Sequence, residues 1–156
     1  MSNSLLFIRS TVFSYMVTTK IVTVLVVEDA PSEMKLMSHY LQEEGFSVIG
    51  AVSGSEGLDK AIAQKPDVVV TDIVMPGISG FELCRKLKHT PETKEVPVVM
   101  CSSKGQTIDR MWGMRQGANA YLTKPYTRDE LIEAVKTVLR WKGLSCRSGW
   151  LVRVVN

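Results

Sequence analysis

Cysteine is scarce: the 156 residues hold three, Cys84, Cys101 and Cys146. An odd count in a chain of this length excludes a disulfide framework, and the thiols are expected to stay reduced in a cytoplasmic setting. Long apolar runs are missing near the N-terminus, where Leu5-Leu6-Phe7-Ile8 is cut off by Arg9. Four residues are too few for a membrane span, and the order of apolar and basic residues is wrong for a secretory signal. No membrane insertion is expected. Aromatic residues make up only 7% of the chain, and the net charge is a modest +3. Much of the basic excess sits at the ends, at Arg9 and Lys20 and at Arg140, Lys142, Arg147 and Arg153. No basic stripe with interleaved aromatics exists, so DNA binding is not expected. What is present, 45% apolar and 22% charged residues, fits one globular domain with a sizeable core.

The pattern along the chain alternates short apolar runs with helical stripes. Residues 21–27 read as a buried strand followed by Glu28-Asp29. Pro31 opens a helix whose apolar stripe is Met34, Leu36, Met37, Tyr40 and Leu41, closed by Gly45. Residues 46–51 form a second strand, and Ser53 with Glu56 three positions on signals a capping box for the next helix. Val68-Val69-Val70-Thr71-Asp72 is the third strand, bounded by Pro66 and by Pro76-Gly77. A helix follows over residues 80–88, then a strand over 96–102, a helix over 107–115 and a weaker strand over 118–122. Thr127 with Glu130 caps a last helix over 127–139. Repeated strand–helix units with short loops predict an α/β fold, a doubly wound parallel sheet with helices on both faces. The pattern alone does not order the strands.

Asp72, Glu28-Asp29, Ser102 and Lys124 all stand where a strand ends. In an open α/β sheet that edge is where sites form. A carboxylate needs no base to act as a nucleophile at pH 7, so Asp72 is the candidate phosphoryl acceptor. Asp29 and Asp72 are candidate ligands for a hard cation, Mg²⁺ or Mn²⁺, with Glu28 reaching it through water and the backbone carbonyl of Val74 adding an oxygen. Lys124 is a point charge suited to phosphoryl oxygens, and Ser102 offers a hydroxyl. Taken singly, each has a plainer explanation; Lys124, for one, would simply pair with Glu28.

Glu28-Asp29, Asp72 with Met75-Pro76-Gly77, Ser102, and Lys124-Pro125 together resemble the CheY-like receiver domain of two-component response regulators. The resemblance covers residues 20–140. It implies a five-stranded flavodoxin-like sheet in the order 2-1-3-4-5, phosphorylation of Asp72 by a histidine kinase or phosphotransfer domain, and slow Mg-dependent autophosphorylation and autodephosphorylation rather than conventional enzyme activity. It also implies that Tyr121 turns inward on activation while Ser102 moves towards the phosphoryl group. The partner surface would then include Thr107, Met111, Arg115, Tyr121, Arg128 and Lys136. A narrower similarity, over residues 102–118, is to stand-alone receivers of type IV pilus and twitching-motility systems.

The expected organisation is an N-terminal tail over 1–19, the receiver over 20–140 and an extension over 141–156. The extension is too short for a DNA-binding domain, and its Trp150–Val155 stretch has strand character. It is expected to pack back on the domain or pair with another chain. The output is therefore expected from the receiver surface, by binding a downstream protein as a monomer or a weak phosphorylation-dependent dimer. The alternative is a phosphate sink or phosphorelay intermediate with no output of its own.

Overall fold

The computed structural model describes residues 19–103, 106–142, 145–147 and 150–152. Its centre is a five-stranded parallel sheet, and a three-stranded antiparallel sheet is appended to it. In chain order the elements are β1 (Thr19–Ile21), β2 (Thr23–Val27), α1 (Pro31–Glu43), β3 (Ser47–Ala51) and α2 (Gly54–Gln64). Then come β4 (Val68–Asp72), α3 (Gly80–His89), β5 (Val98–Ser102), α4 (Thr107–Arg115), β6 (Ala120–Thr123), α5 (Arg128–Arg140), β7 (Ser145–Arg147) and β8 (Trp150–Val152). The central sheet runs β3-β2-β4-β5-β6. Counted within that sheet, this is the 2-1-3-4-5 order that the resemblance implied.

Side chains alternate across a strand, and the sheet is covered on both faces. Val24, Val26, Val68, Val70, Val99 and Cys101 point to one face, where they meet Met37 and Leu41 of α1 and Leu131, Val135 and Leu139 of α5. Leu25, Val27, Val69, Val98 and Met100 point to the other, where they meet Ala61 of α2 and Leu83, Cys84 and Leu87 of α3. The period of two therefore decides which helix each strand residue supports, and it puts Tyr121 on the α2–α3 face.

Caps fix where the helices start. Ser79 accepts the Glu82 N–H at 3.2 Å, and Thr127 with Glu130 makes a complete capping box. At Ser53 only half of the expected box forms. Ser53 accepts the Glu56 N–H, but the Glu56 carboxylate takes the amide of Val52 at 2.9 Å instead of returning to Ser53.

The strand expected over 21–27 is divided. Ile21 pairs with Trp150 in the small sheet, Val22 lies between the two strands, and Thr23 begins the central strand against Ser47. The Asp67 carboxylate holds this junction, accepting from the Thr23 amide at 2.8 Å and from Lys20 Nζ at 3.0 Å. The hairpin of β7 and β8 joins the body through β1, by an antiparallel pairing of Thr19 with Val152. The expected tail before residue 19 lies outside the described residues. The strand over 96–102 starts later than expected, at Val98, because Pro97 has no N–H to give a ladder.

The loop after β4 is closed by Gly80, whose N–H donates to the Ile73 carbonyl at 2.9 Å. A Cβ on Gly80 would lie 2.2 Å from the Asp72 carbonyl oxygen and 2.8 Å from the Ile73 Cα. Both are backbone atoms, so nothing flexible can give way. Gly80→Ala is expected to lower stability by about 1–3 kcal/mol, the usual range for overpacking. Urea unfolding checks this, and an unchanged midpoint would show that the α3 approach to β4 is looser than drawn.

Candidate functional site

Parallel pairing aligns the strand ends. Val27 lies opposite Thr71, Asp72 opposite Cys101, and Ser102 opposite Thr123. One edge of the sheet thus collects Glu28-Asp29, Asp72, Ser102 and Lys124, drawn from four strands.

The carboxylates of Glu28, Asp29 and Asp72 each place an oxygen within 4.8 Å of the others. Their burial differs: Glu28 is 1% exposed, Asp72 is 9% exposed, and Asp29 is open to solvent. Each buried acid is held by a backbone amide. Glu28 Oε1 accepts from the Ala30 N–H at 3.1 Å, and Asp72 Oδ1 accepts from the Ile73 N–H at 2.7 Å. Burial raises the Glu28 pKa, with the Ala30 amide and Lys124 opposing it and the Asp72 charge adding to it. The donor set is all carboxylate oxygen, the chemistry that a hard divalent cation takes. Three carboxylates this close also repel one another unless a cation is shared. The residues therefore fit Mg²⁺.

Lys124 is the counter-charge. Its Nζ lies 3.1 Å from Glu28 Oε2 and 3.5 Å from Asp72 Oδ2, and it donates to Glu33 Oε2. Burial works to lower the Lys124 pKa. The hydrogen bonds to Glu33 and Glu28 and the Asp72 charge together outweigh it and raise the value, so the side chain is a fixed cation. Pairing with Glu28 and placement beside Asp72 occur together, so the plainer explanation and the functional one are not alternatives. A cavity of about 470 Å³ opens over this group, lined by Glu33, Leu36, Asp72, Val74, Lys124 and Tyr126 among others. Val74 is at its rim and exposed.

Glu33 was missed in the sequence. An acid in the first turn of a helix reads as a complement to the helix dipole. The usable signal was its place in the first turn of a helix that starts two residues after Asp29.

Ser102 is fully buried at the end of β5, and its carbonyl accepts the Lys124 N–H at 2.8 Å. The hydroxyl is hydrogen-bonded with Tyr121. Burial raises the Tyr121 pKa, and this bond opposes the rise. Tyr121 is 8% exposed and packs in the same cluster as Met100. It fits because α4 meets the sheet through Gly113, where a Cβ would come within 3.2 Å of the Tyr121 ring and 3.0 Å of Met100 Sδ. The Arg110 guanidinium covers the ring at 5.7 Å and donates to the Tyr121 carbonyl.

Thr107, Met111 and Arg115 are exposed on α4. Arg128 and Lys136 are engaged elsewhere: Arg128 pairs with Glu43 and Glu44, and Lys136 with Glu44 at 2.5 Å. These two cations tie α5 to the end of α1.

Sheet order and site together define a receiver. A sequence profile of the response regulator receiver domain matches residues 24–136. Over 116 residues the chain is 42% identical to Protein PilH of Pseudomonas aeruginosa, a match covering 74% of this chain and 96% of that one. It is 37% identical to the phosphate regulon transcriptional regulatory protein PhoB of Rhizobium meliloti, covering 74% of this chain and about half (51%) of PhoB. Among solved structures, a putative response regulator of Chloroflexus aurantiacus superposes with a TM-score of 0.75 at 34% identity, covering 78% of this chain and 99% of that one. The chemotaxis protein CheY4 of Vibrio cholerae superposes with a TM-score of 0.73 at 30% identity, covering 76% and 99%. The chain belongs to the response regulator receiver family.

Mg²⁺ is expected to raise the melting temperature of the parent protein by relieving carboxylate repulsion. Asp29→Ala should abolish most of that rise, because Asp29 is the exposed member of the cluster and the one most open to an arriving cation. Thermal melts with and without Mg²⁺ decide it. A metal-dependent rise of equal size in the variant would remove Asp29 from the metal site.

Proposed function

We propose that Asp72 accepts a phosphoryl group from a phosphohistidine on a histidine kinase or phosphotransfer domain, and that the modified receiver then binds a downstream protein. The observation that carries this is the setting of the Asp72 carboxylate. It opens on a cavity, with Lys124 Nζ 3.5 Å from Oδ2 and two further carboxylates within 4.8 Å. Oδ1 is engaged by the Ile73 amide, so Oδ2 is the nucleophile. The Oδ2–P bond forms as the P–N bond breaks, and the electron pair of that bond returns to the imidazole. Asp29 and Asp72, with Glu28 through water and the Val74 carbonyl, would hold the divalent cation, which supplies neutralisation of phosphoryl charge. Lys124 pairs with a phosphoryl oxygen. In a separate step, hydrolysis, the same residues align water against phosphorus, the Oδ2–P bond breaks as the water oxygen bonds to phosphorus, and the Asp72 carboxylate is regenerated with release of inorganic phosphate, which makes the protein a slow catalyst of its own dephosphorylation.

The phosphoryl group adds about 1.5–2 negative charges. Ser102 ends β5 at the edge and is bonded to Tyr121, so a shift of its hydroxyl towards the phosphoryl group loosens that bond and is felt beneath α4. Tyr121 is 8% exposed and hydrogen-bonded with Ser102, and phosphorylation acts through population shift between two arrangements of this pair.

The output surface proposed is α4. Ile108, Met111, Trp112 and Met114 are all about half exposed or more, and Gly113 is the helix's buried residue. An exposed apolar helix face of this kind marks a protein contact, which favours an effector role over a phosphate sink. Arg128 and Lys136 are left out of it. The pattern over residues 102–118, and the similarity to the chemotaxis response regulator CheY4, support a place in pilus motility or taxis, and the proposed location is the cytoplasm. No helix among the described residues is long and apolar enough to cross a membrane.

Asp72→Asn is expected to abolish labelling by acetyl phosphate or a phosphohistidine donor in Mg²⁺, while circular dichroism stays that of the parent. Labelling at the parent's level would move the acceptor elsewhere.

A further inference from the structure

Lys124 has more partners than its role requires. An ammonium carries three hydrogens, and the structure sets three carboxylates around this one, from the end of β2, the first turn of α1 and the end of β4. Pairing with a phosphoryl group on Asp72, the reading proposed above and the one this inference rests on, requires at least one of the three to let go.

The three are not equivalent. The Glu28 side chain is 1% exposed, so releasing it would strand a buried charge. Asp72 is the residue that carries the phosphoryl group. Glu33 is 46% exposed and sits on the wall of the cavity, where water can take over its hydrogen bonds. Exposed ion pairs are weak, so its release costs least. Glu33 also lines the space into which the incoming phosphoryl group must pass, and its charge has the sign that opposes that group.

We infer that Glu33 is a positioning residue that acts through Lys124: it holds the ammonium beside Asp72 in the unmodified protein and competes with the phosphoryl group for it. Glu33 thereby sets how readily the phosphorylated state is reached and kept. It keeps Lys124 paired when the site is empty of phosphate, and it makes the modified state less favourable than the other residues of the site alone would.

The test uses beryllofluoride as the phosphoryl stand-in, titrated against the full chain at saturating Mg²⁺ and followed by amide NMR shifts. Glu33→Gln keeps the length of the side chain and removes the charge. It is expected to tighten apparent beryllofluoride binding by about two- to fivefold, the span an exposed ion pair corresponds to. Glu33→Asp keeps the charge but withdraws it from Lys124 by one methylene, and it should also bind more tightly than the parent. Unchanged or weaker binding by Glu33→Gln overturns the inference, since a purely structural role cannot produce a gain. Tighter binding by Glu33→Gln with parent-like binding by Glu33→Asp overturns it too, because charge in the neighbourhood, not contact with Lys124, would then be responsible. Asp72→Asn separates the two levels of the argument. If the parent binds beryllofluoride no better than Asp72→Asn, the Asp72 reading falls and this inference with it. If the parent binds and only the Glu33 variants fail to respond, the Asp72 reading stands and the Glu33 inference falls.

Discussion

One ammonium shared by three carboxylates, two of them buried, is the constraint on which the rest depends. Lys124 reaches Glu28, Glu33 and Asp72 from the end of the sheet's edge strand. Without it, Glu28 would be a nearly fully buried acid beside a second acid, with one backbone amide for support. Burial already raises the Glu28 pKa despite that help. The parallel register answers the problem by bringing four strand ends level, so that one lysine serves acids 52 to 96 residues away in the chain. A cation in the carboxylate cluster completes the balance, and a phosphoryl group changes it. The site sets four carboxylates against one lysine, so a divalent cation and a phosphoryl group each change its balance by about two charges, in opposite directions.

How such a change travels follows from the alternation of the strands. Ser102 closes β5, and Tyr121, on the neighbouring strand, faces the α2–α3 side of the sheet. Their hydrogen bond links the charged edge to the packing under α4. Helix α4 meets that packing through its buried glycine, Gly113, and through Arg110 over the Tyr121 ring, while its apolar residues face outward. What the helix displays to solvent is apolar. Helix α5 is fixed differently, by five core residues and by the Arg128 and Lys136 pairs to α1.

The acids at 28, 29 and 72 and the lysine at 124 were legible because each follows an apolar run of strand character, and strand ends in an α/β sheet share an edge. Period-two alternation likewise made the two-faced core legible. Three features were not. Glu33 meets Lys124 only through the packing of α1 on the sheet, 91 residues apart, and its local sequence already explains it as a first-turn acid. Arg128 and Lys136 looked free because their partners, Glu43 and Glu44, end a helix at the opposite end of the chain. The division of the first strand at Val22 depends on Trp150 pairing with Ile21, and no pattern within residues 21–27 announces it. Sequence periodicity reports which face a residue occupies. It does not report which side chain from another element arrives there.

The phosphoryl group is proposed to reside on Asp72 and not on a neighbouring acid. Glu28, Asp29 and Asp72 lie close enough together that loss of labelling in a variant does not by itself distinguish an acceptor from a metal ligand. Direct mapping does. The protein labelled with acetyl phosphate in Mg²⁺ is reduced with borohydride, which converts an aspartyl phosphate to homoserine, and the modified position is read by mass spectrometry. The account predicts homoserine at position 72 with Asp29 intact. Homoserine at position 29, or a modified residue away from the sheet edge, would contradict it.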